Sequence, residues 1–528
     1  MRIEEIIKYI TIRESKKMNL GNLLILIALI GSILILPINM LIHNKKIRDI
    51  ILIITAISLT ASLILILYYQ YTCNFRYSYV VEHISTDLKP LYKISALWAG
   101  QSGSFLLWAV CSIWLGITIK GNDKSFNIYM IITTALIAFV YISNPFAIEK
   151  IIPSEGAGLN MALQNPWMVI HPPLVFIGYS ALAILFCESF SHRVEIKWAY
   201  ISLFFLGAGI FTGSIWAYKA LGWGGYWAWD PIENAALVPW LILVAIIHRE
   251  KVKPYLTMLP FILAVFGTFL ARSGILEGKS VHSYNISTMS KPILILISFL
   301  CVLLFIIVIK NKQNKDIVNN NGTLKKVLSA FCSITYLFSA LILISTTLPI
   351  FSSYNVEVDF YNLLSLVFAI ISSILFLIYM QDLFKGNLAI ISIINTILII
   401  TISWITKFGE VQWLIIFWIL MFPLILKVIY FNKIKNKSAN IAHIGFILMI
   451  LGSITSSIFG EAGMFLEANI TNQETVEAII IHNFLEDVVI TEGAKYTTKP
   501  LIFLFWIGGI LIMISMVGKI FFFKDRTT

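Results

Sequence analysis

The sequence predicts an all-α polytopic membrane protein with about fifteen transmembrane helices, and three observations favour that fold class. Of its 528 residues, 58% are hydrophobic and only 13% are charged, and the mean hydropathy is +0.86. Apolar runs of about 20 residues, enough to cross a bilayer as a helix, recur along the whole chain. Lysine and arginine collect in alternate loops between those runs. Soluble domains of this combined length are far less apolar.

The predicted spans follow one another along the chain and are separated mostly by short loops. They cover residues 19–41, 49–70, 95–119, 127–143, 168–188, 198–217, 233–248, 256–273, 290–309, 328–350, 361–380, 387–405, 411–430, 440–459 and 500–523. The longest polar interruption among the later spans contains short alternating segments such as VEAIIIHNF and DVVITEG. We expect it to form a small β-structured cap.

Four regions follow from this pattern. Residues 1–18 are an N-terminal extension, residues 19–459 a transmembrane core with a tryptophan-rich loop at 216–240, residues 460–499 a short external segment, and residues 500–528 the last span with a cytoplasmic tail. The extension is charged and lacks the apolar centre of a secretory signal. Because Met18 opens a plain first span, our hypothesis is that translation begins there.

The formal net charge of +11 is spread over short loops, so it predicts membrane topology and no nucleic acid partner. One set of alternate loops carries about twice as many basic residues as the other. That set is expected to be cytoplasmic, which puts the carboxyl terminus inside and the tryptophan loop outside. The five cysteines form no close pair, so neither a disulfide framework nor a zinc site is predicted.

Histidines inside or beside a span are costly, so their depth is informative. His171 and His282 fall on the outer side, whereas His248 and His443 fall near the inner face. The 17 residues from Pro231 to His248 correspond to about 25 Å of helix. The remaining histidines lie in loops and are expected to be solvated: His43, His83, His192 and His482.

No single cofactor reaches both pairs across that distance. If the four histidines are ligands, they predict two separate bis-histidine sites, one above the other. The alternative is that each histidine only anchors a helix end or hydrogen-bonds a neighbour. The residues by themselves leave both interpretations open.

Large rings concentrate in the loop WGGYWAW, with glycines between them, and continue into the preceding span: Trp216, Trp223, Tyr226, Trp227 and Trp229. An interfacial aromatic belt is one explanation, because tryptophan and tyrosine favour the headgroup region. A belt spreads its rings over many helix ends, however, and this loop gathers them in one. A flat apolar ligand such as a porphyrin would stack on that surface.

The residues directly behind the loop predict a helix start. Asp230 stands at the N-cap, Pro231 at the first helical position and Glu233 three residues after the cap, as in a capping box. Asp230 is therefore expected to fix the exit of the loop rather than to bind a ligand. Arg272 ends the eighth span, where it could pair with a haem carboxylate or anchor that helix at the interface.

Several motifs in order carry a family resemblance. They are LYKISALWAGQSGSFLLW from Leu91, NPF from Asn144, GAGLNMALQNPWMVIHPPLVFIGY, GWGGYWAWDPIENAALVPWL, FGTFLARSGIL, SVH and AHIGFILMILG. Together they resemble the CcmF subunits of cytochrome c haem lyases, which belong to the haem-handling proteins named for a WWD motif. The resemblance covers most of the chain, and its specificity lies in the combination.

The resemblance implies a haem lyase acting in a complex, which joins haem vinyl groups to the cysteines of a CxxCH motif in apocytochrome c. It implies that His171 and His282 ligate the incoming haem beside the tryptophan loop and that His248 and His443 ligate a resident haem b, with quinol as the electron source. The implied partners are the haem chaperone CcmE, a CcmH-type thiol oxidoreductase, apocytochrome c and membrane lipid. The implied location is a bacterial inner membrane with the active face in the periplasm.

No protein nucleophile is expected in the motif, so positioning and redox control would carry the chemistry. Three departures from the family pattern are visible. Residues 460–499 are short, the cytoplasmic link after His248 is compact, and GILEGKSVH is about two residues longer than the usual stretch, which affects the match of His282. Two alternatives use the same residues, namely a haem exporter and a lyase paralogue dedicated to nitrite reductase. A proton-translocating subunit is disfavoured, because nearly all acids and bases lie at span ends.

Overall fold

The structure is a computed structural model. It describes residues 18–119, 123–191, 194–219, 225–249, 251–276, 280, 289–312, 322–352, 356–381, 395, 397, 419, 421–423, 425–428, 436–458, 460, 462–464, 479–482, 486–491 and 495–521. These residues divide into two compact units. The first comprises Met1–Trp198 and Lys253–Gln313, and the second comprises Ala199–Val252 and Asn314–Thr528.

The first unit is a bundle of helices. Its elements are α1 (Leu20–Pro37, followed by a π-helical turn), α2 (Lys45–Tyr71), α3 (Ser78–His83), α4 (Pro90–Ala99), α5 (Gln101–Gly116), α6 (Asp123–Ser143), α7 (Pro166–Glu188), α10 (Pro254–Arg272) and α11 (Ser290–Lys312). Helix α1 packs against both α2 and α6, and α5 and α10 pack against α7. Their apolar composition gives each of them a face to bury against its neighbours.

Helices α4 and α5 form one predicted span that is bent by 87° at Gly100. A side chain at Gly100 would collide with the His83 imidazole, and one at Gly103 would collide with the Leu97 carbonyl oxygen. The bend leaves backbone groups without helical partners, and the Tyr79 hydroxyl bonds two of them. It donates to the Leu97 carbonyl oxygen at 2.6 Å and accepts from the Gly100 amide at 3.1 Å.

Helix α7 carries two prolines past its first turn. It begins at Pro166, with Asn165 capping the Trp167 amide at 3.0 Å, so Pro172 lies deeper in the helix than the sequence predicts. Proline lacks the amide that would bond the carbonyl four residues earlier, here that of Met168. The Trp98 indole donates to that carbonyl oxygen at 2.8 Å. An indole from α4 therefore replaces the missing backbone donor.

The second unit combines helices with a small sheet. Its helices are α8 (Ile196–Lys219, from Ala199 onward), α9 (Pro231–Ile247), α12 (Thr323–Phe351), α13 (Val358–Gln381), α14 (Lys437–Ile458) and α15 (Ile502–Phe521). Its strands are β1 (Ala462–Met464), β2 (Ile479–His482), β3 (Glu486–Thr491) and β4 (Lys495–Pro500), in the antiparallel order β1-β4-β3-β2. Helix α9 packs on α12, and α12 packs on α13.

Helices α14 and α15 approach each other through glycines. A side chain at Gly445 or Gly508 would meet the backbone of the facing helix, and one at Gly452 would meet Phe505. Small residues allow such close backbone contact between membrane helices. The sheet joins this pair directly, because β4 leads into α15 and also contacts α14.

The predicted fold class is confirmed. Eleven helices among the described residues are long and apolar enough to cross a membrane, and the bent pair α4–α5 and the shorter α9 account for two further predicted spans. The expected β-structure before the last helix is also confirmed. Predicted spans 387–405 and 411–430 lie almost wholly outside the described residues, as does the hypothesis about residues 1–17. The predicted region boundaries stay predictions.

Candidate functional site

The tryptophan loop is described from Gly225 onward, so Trp223 lies outside the described residues. Gly225 has a φ of +98°, a backbone conformation that favours glycine. Tyr226 is buried and acts as an anchor: its hydroxyl donates to the Ser453 carbonyl oxygen at 3.2 Å, and its ring centre lies 4.7 Å from that of Phe505. The loop is therefore fixed to α14 and α15 at its base.

Two half-buried tryptophans follow the anchor. The Trp227 and Trp229 rings meet edge to face, with centroids 5.9 Å apart. Trp229 also stacks on Tyr361 at 5.3 Å and donates its indole hydrogen to the Asn362 side-chain oxygen at 2.9 Å. The Trp227 indole nitrogen is buried and has no hydrogen-bond partner among the described residues. Trp216 is buried inside α8 and exposes only 4% of its surface.

The predicted capping box behind the loop is confirmed. The Asp230 carboxylate accepts from the Ile232 amide at 2.8 Å, and the Glu233 carboxylate accepts from the Asp230 amide at 3.1 Å. Sequence reasoning missed Asn234, whose side-chain amide donates to the Trp229 carbonyl oxygen and to Thr346, both at 3.0 Å. The loop exit is thus bonded to α9 and α12.

The other predicted outer residues belong to the first unit. His171 lies on α7, three residues after the carbonyl that Trp98 bonds, and is partly buried. Arg272 ends α10 and is buried, with a guanidinium nitrogen donating to the Ser104 hydroxyl at 2.7 Å and its carbon 5.7 Å from the Phe105 ring centre. His282 lies outside the described residues.

The inner histidines lie face to face in the second unit. His248 caps the carboxyl end of α9, and His443 lies in the second turn of α14. Their ring centres are 6.0 Å apart, and the rings are tilted by 35°. Each also has a phenylalanine neighbour, Phe331 beside His248 and Phe376 beside His443, at 5.0 and 5.5 Å. The structure therefore brings together the two residues that the sequence places at one depth.

That spacing fits an iron held between two imidazoles. Metal–imidazole bonds are about 2 Å long, so two such bonds in line separate the ring centres by about 6 Å. The His248 Nδ1 lies 2.7 Å from the Val244 carbonyl oxygen. If Nδ1 carries the proton and donates it along that bond, Nε2 has a lone pair with which it could bind a metal. The His443 Nδ1 is buried and has no hydrogen-bond partner among the described residues.

A cavity of about 590 Å³ surrounds this pair, a size typical of sites for small organic ligands. Its walls are mainly aliphatic and aromatic, and Phe331 and Phe376 belong to them. Three basic residues also line it: Arg249, Lys325 and Lys519. An apolar slot with basic groups suits a porphyrin, whose ring is apolar and whose propionates are anionic.

Lys427 is a further basic residue near this cavity that sequence reasoning did not single out. It exposes 3% of its surface, and its Nζ lies 4.7 Å from the ring centre of Phe376. Phe376 in turn contacts His443. A positive charge therefore lies one aromatic ring away from one of the candidate ligands.

The prediction that His83 is solvated is wrong. His83 is mostly buried, with 17% of its side chain exposed, and it stacks on Tyr79 at 4.4 Å. Burial lowers the pKa of His83, although the Tyr79 carbonyl and Glu82 oppose that effect. The bend at Gly100 covers this residue, a contact that no local pattern indicates. His43 and His482 are exposed as predicted, and His192 lies outside the described residues.

Comparison with known proteins shows which of them the chain resembles. The model of the cytochrome c assembly proteins matches residues 98–193 and 190–276. This part of the chain is therefore similar to cytochrome c assembly proteins. The matched residues include the bend at Gly100, His171, the tryptophan loop, His248 and Arg272, so this family model covers most of the residues discussed above.

Curated relatives and a solved structure are also similar to the chain. The biogenesis protein NrfE of Haemophilus influenzae is 35% identical over 277 residues, which cover 47% of this chain and 43% of the relative. CcmF of Escherichia coli is 34% identical over 243 residues, covering 40% and 37%. The chain thus matches less than half the length of these relatives. A structure of the cytochrome c heme lyase CcmF has the same fold, with a TM-score of 0.73 at 16% identity over 96% of this chain and 99% of that chain.

Proposed function

We propose that the chain is the haem lyase subunit of a cytochrome c maturation system, acting in a complex on haem and apocytochrome c. The observation that carries the proposal is the facing pair His248 and His443, set in an apolar cavity within the fold of a haem lyase. The similarity of residues 98–276 to cytochrome c assembly proteins supports the biological role. The sequence resemblance supplies the reaction, because the tryptophan loop and its flanking histidines match the haem-handling motif.

The inner pair is proposed to hold a resident haem b. His248 and His443 would be its axial ligands, and Arg249, Lys325 and Lys519 would receive its propionates. When bound, a haem at this position supplies one-electron transfer. The carbonyl of Val244 orients His248, and the partly buried rings of Phe331 and Phe376 would shield the pair from water. Quinol is the proposed electron donor.

The outer residues are proposed to bind the second haem, which is the substrate. His171 and His282 would ligate its iron, and Trp227, Trp229 and the other loop rings would stack on its apolar face. Arg272 is the proposed partner of a haem carboxylate. In the reaction, a cysteine thiol of CxxCH adds across a vinyl group: the S–H and C=C π bonds break, and a C–S and a C–H bond form. No electron is gained or lost in that addition, but it requires a reduced thiol.

The chain's contribution to that addition is placement rather than nucleophilic attack. Orienting two reactants in one site can offset several kcal/mol of barrier, about 7–11 in favourable cases. The anchors of the loop serve this purpose, since Tyr226 and Asn234 fix both of its ends. The proposed partners are CcmE as haem donor, a CcmH-type protein that keeps the thiols reduced, and apocytochrome c. The proposed location is the bacterial inner membrane, with this face in the periplasm.

A second candidate is the paralogue dedicated to nitrite reductase. This candidate is retained because the chain is almost equally similar to both kinds of relative. It is 35% identical to the NrfE relative and 34% identical to the CcmF relative. The two differ in which apocytochrome they serve, so the haem sites would be the same in both.

The test is cytochrome c maturation in cells whose own subunit has been deleted. His171→Ala and Trp227→Ala should abolish holocytochrome c while the purified protein keeps its resident haem spectrum. His482→Ala is the matched control, because that side chain is 72% exposed and lies in the cap. Normal maturation in both outer variants would reject the lyase function of this surface. A haem exporter would instead leave thioether formation to another protein, and the purified complex would then attach no haem in vitro.

A further inference from the structure

The small sheet turns one face toward the end of α8. Strands β3 and β4 pair Asp487 directly with Lys499, and paired residues in an antiparallel sheet project to the same side. Asp487 accepts hydrogen bonds from the Tyr218 hydroxyl and from the His482 ring, both at 2.8 Å. Both hydrogen bonds of the Asp487 carboxylate are therefore made with Tyr218 and His482.

The Lys499 ammonium points elsewhere, to the tryptophan loop. A Cβ built on Gly225 would lie 3.9 Å from the Lys499 Nζ, and among the described residues that are not its chain neighbours no other heavy atom lies within 4 Å of it. The Lys499 ammonium is therefore the group nearest to this position in the described part of the chain. Gly225 precedes Trp227 by two residues, so this cation adjoins the proposed stacking surface.

Lys499 forms no ion pair within the part of the chain that the structure describes. The side chain is nevertheless partly buried, and burial lowers the pKa of Lys499. Burying an ammonium without an ion-pair partner is unfavourable. A ligand anion beside Gly225 would offset that cost.

We propose that Lys499 binds a propionate of the incoming haem and thereby orients the porphyrin on the tryptophan loop. The inference deepens the proposed function and rests on it. Haem b carries both propionates on one edge of the ring and its vinyl groups away from that edge. Holding a propionate beside Gly225 therefore directs the vinyl groups away from the sheet, where an apocytochrome could reach them. Lys499 is a positioning residue, since it touches no reacting atom.

A lipid phosphate has the same charge chemistry as a propionate and could reach this depth. The two possible anions, a haem propionate and a lipid phosphate, can be distinguished by neutralising the haem carboxylates and measuring haem binding. If Lys499 recognises haem carboxylates, esterifying them removes its contribution to haem binding. If it holds lipid, substituting it leaves haem binding unchanged.

The test measures haem binding to the purified full-length protein that carries its resident haem. Haem and its dimethyl ester are titrated separately, and binding is followed by difference absorption. Lys499→Gln should weaken binding of haem about tenfold or more and leave binding of the ester unchanged. Lys499→Arg should restore haem binding to within about threefold of wild type, since it keeps the charge.

Lys495→Gln is the matched control: the same residue type on the same strand, four positions away and about 13 Å distant. It should bind haem like wild type.

The resident haem spectrum reports whether each variant is folded. If Lys499→Gln does not fold, Lys499→Arg still tests the proposal. Equal losses for haem and ester, or no loss for haem, would overturn the role of Lys499. Release of co-purified anionic lipid with unchanged haem binding would overturn it in favour of lipid. If wild type binds no second haem, the proposed outer site itself is rejected.

Discussion

The tryptophan loop and the inner histidine pair lie at opposite ends of α9, and they use their aromatic rings differently. In the loop, Tyr226 and Trp229 are largely engaged with protein neighbours. At the other end, His248 and His443 face each other across a cavity of about 590 Å³. A dense cluster of rings is thus partly a structural anchor, whereas two inconspicuous histidines form the arrangement that best fits a bound ligand.

This contrast suggests a division of tasks. The inner cavity is preformed, so a cofactor there can be permanent. The loop offers Trp227 and the space beside Gly225 on a well-anchored base, which suits a ligand that must arrive and leave. Four predictions test that division, and they run from the largest expected effect to the smallest.

His443→Ala should strongly weaken binding of the proposed resident haem, because it removes one of the two proposed iron ligands. The absorption spectrum of the purified protein should lose its Soret band. His443→Met should retain haem with a shifted spectrum, since a thioether can occupy the same axial position. If His443→Ala kept a wild-type spectrum, the inner end of α9 would not be the haem site, and the contrast between the two ends would fail.

Trp229→Leu should destabilise the loop more than Trp227→Leu does. The first substitution removes a stacked ring and an indole hydrogen bond, a loss of about 2–3 kcal/mol; the Trp227 indole has no such bond among the described residues. Thermal unfolding in detergent measures the difference, and titration with haem measures binding. Trp227→Leu should mainly weaken haem binding. Equal unfolding temperatures for the two variants would contradict the assignment of Trp229 as an anchor.

Lys427→Met should lower the reduction potential of the resident haem. The ammonium favours the less positive ferrous state, and at about 10 Å its interaction is worth roughly 1–2 kcal/mol, or about 50–100 mV for one electron. Potentiometric titration of the purified protein gives the value. Lys46→Met, at the exposed start of α2, is the control and should leave the potential unchanged. A rise in potential would reverse the sign of this argument.

Asp230→Ala should destabilise the start of α9 by about 1 kcal/mol, the usual effect of losing an N-cap. Asp230→Asn should behave almost like wild type, because asparagine caps helices equally well. The measurement is the unfolding midpoint, together with holocytochrome c yield. A large loss of yield in the asparagine variant at unchanged stability would indicate that the charge itself, and not the cap, is needed at the loop.

Much of this arrangement could be read from local patterns. The capping box follows from Asp230 and Glu233 alone, and the depth of His248 follows from counting residues along one helix. Neither requires knowledge of which helices touch. The approach of His443 to His248 was expected from their common depth, although depth by itself does not bring two helices together.

The rest depends on contacts between distant parts of the chain. The burial of His83 results from the bend at Gly100, and the Lys427–Phe376–His443 contact joins three separate helical segments. Lys499 is 274 residues from Gly225 and reaches it only through the pairing of β3 and β4. Periodicity and local motifs carry no information on such pairings.

The bond between Trp98 and the Met168 carbonyl fixes the height of His171 in the first unit. A slide of α7 by one turn would displace His171 by about 5.4 Å along the helix axis. The same slide would take the indole away from the Met168 carbonyl oxygen, which Pro172 already leaves without a backbone donor, and an unsatisfied carbonyl is unfavourable in a membrane. A missing backbone hydrogen bond in one helix thus fixes the position of His171, three residues further along, relative to α4.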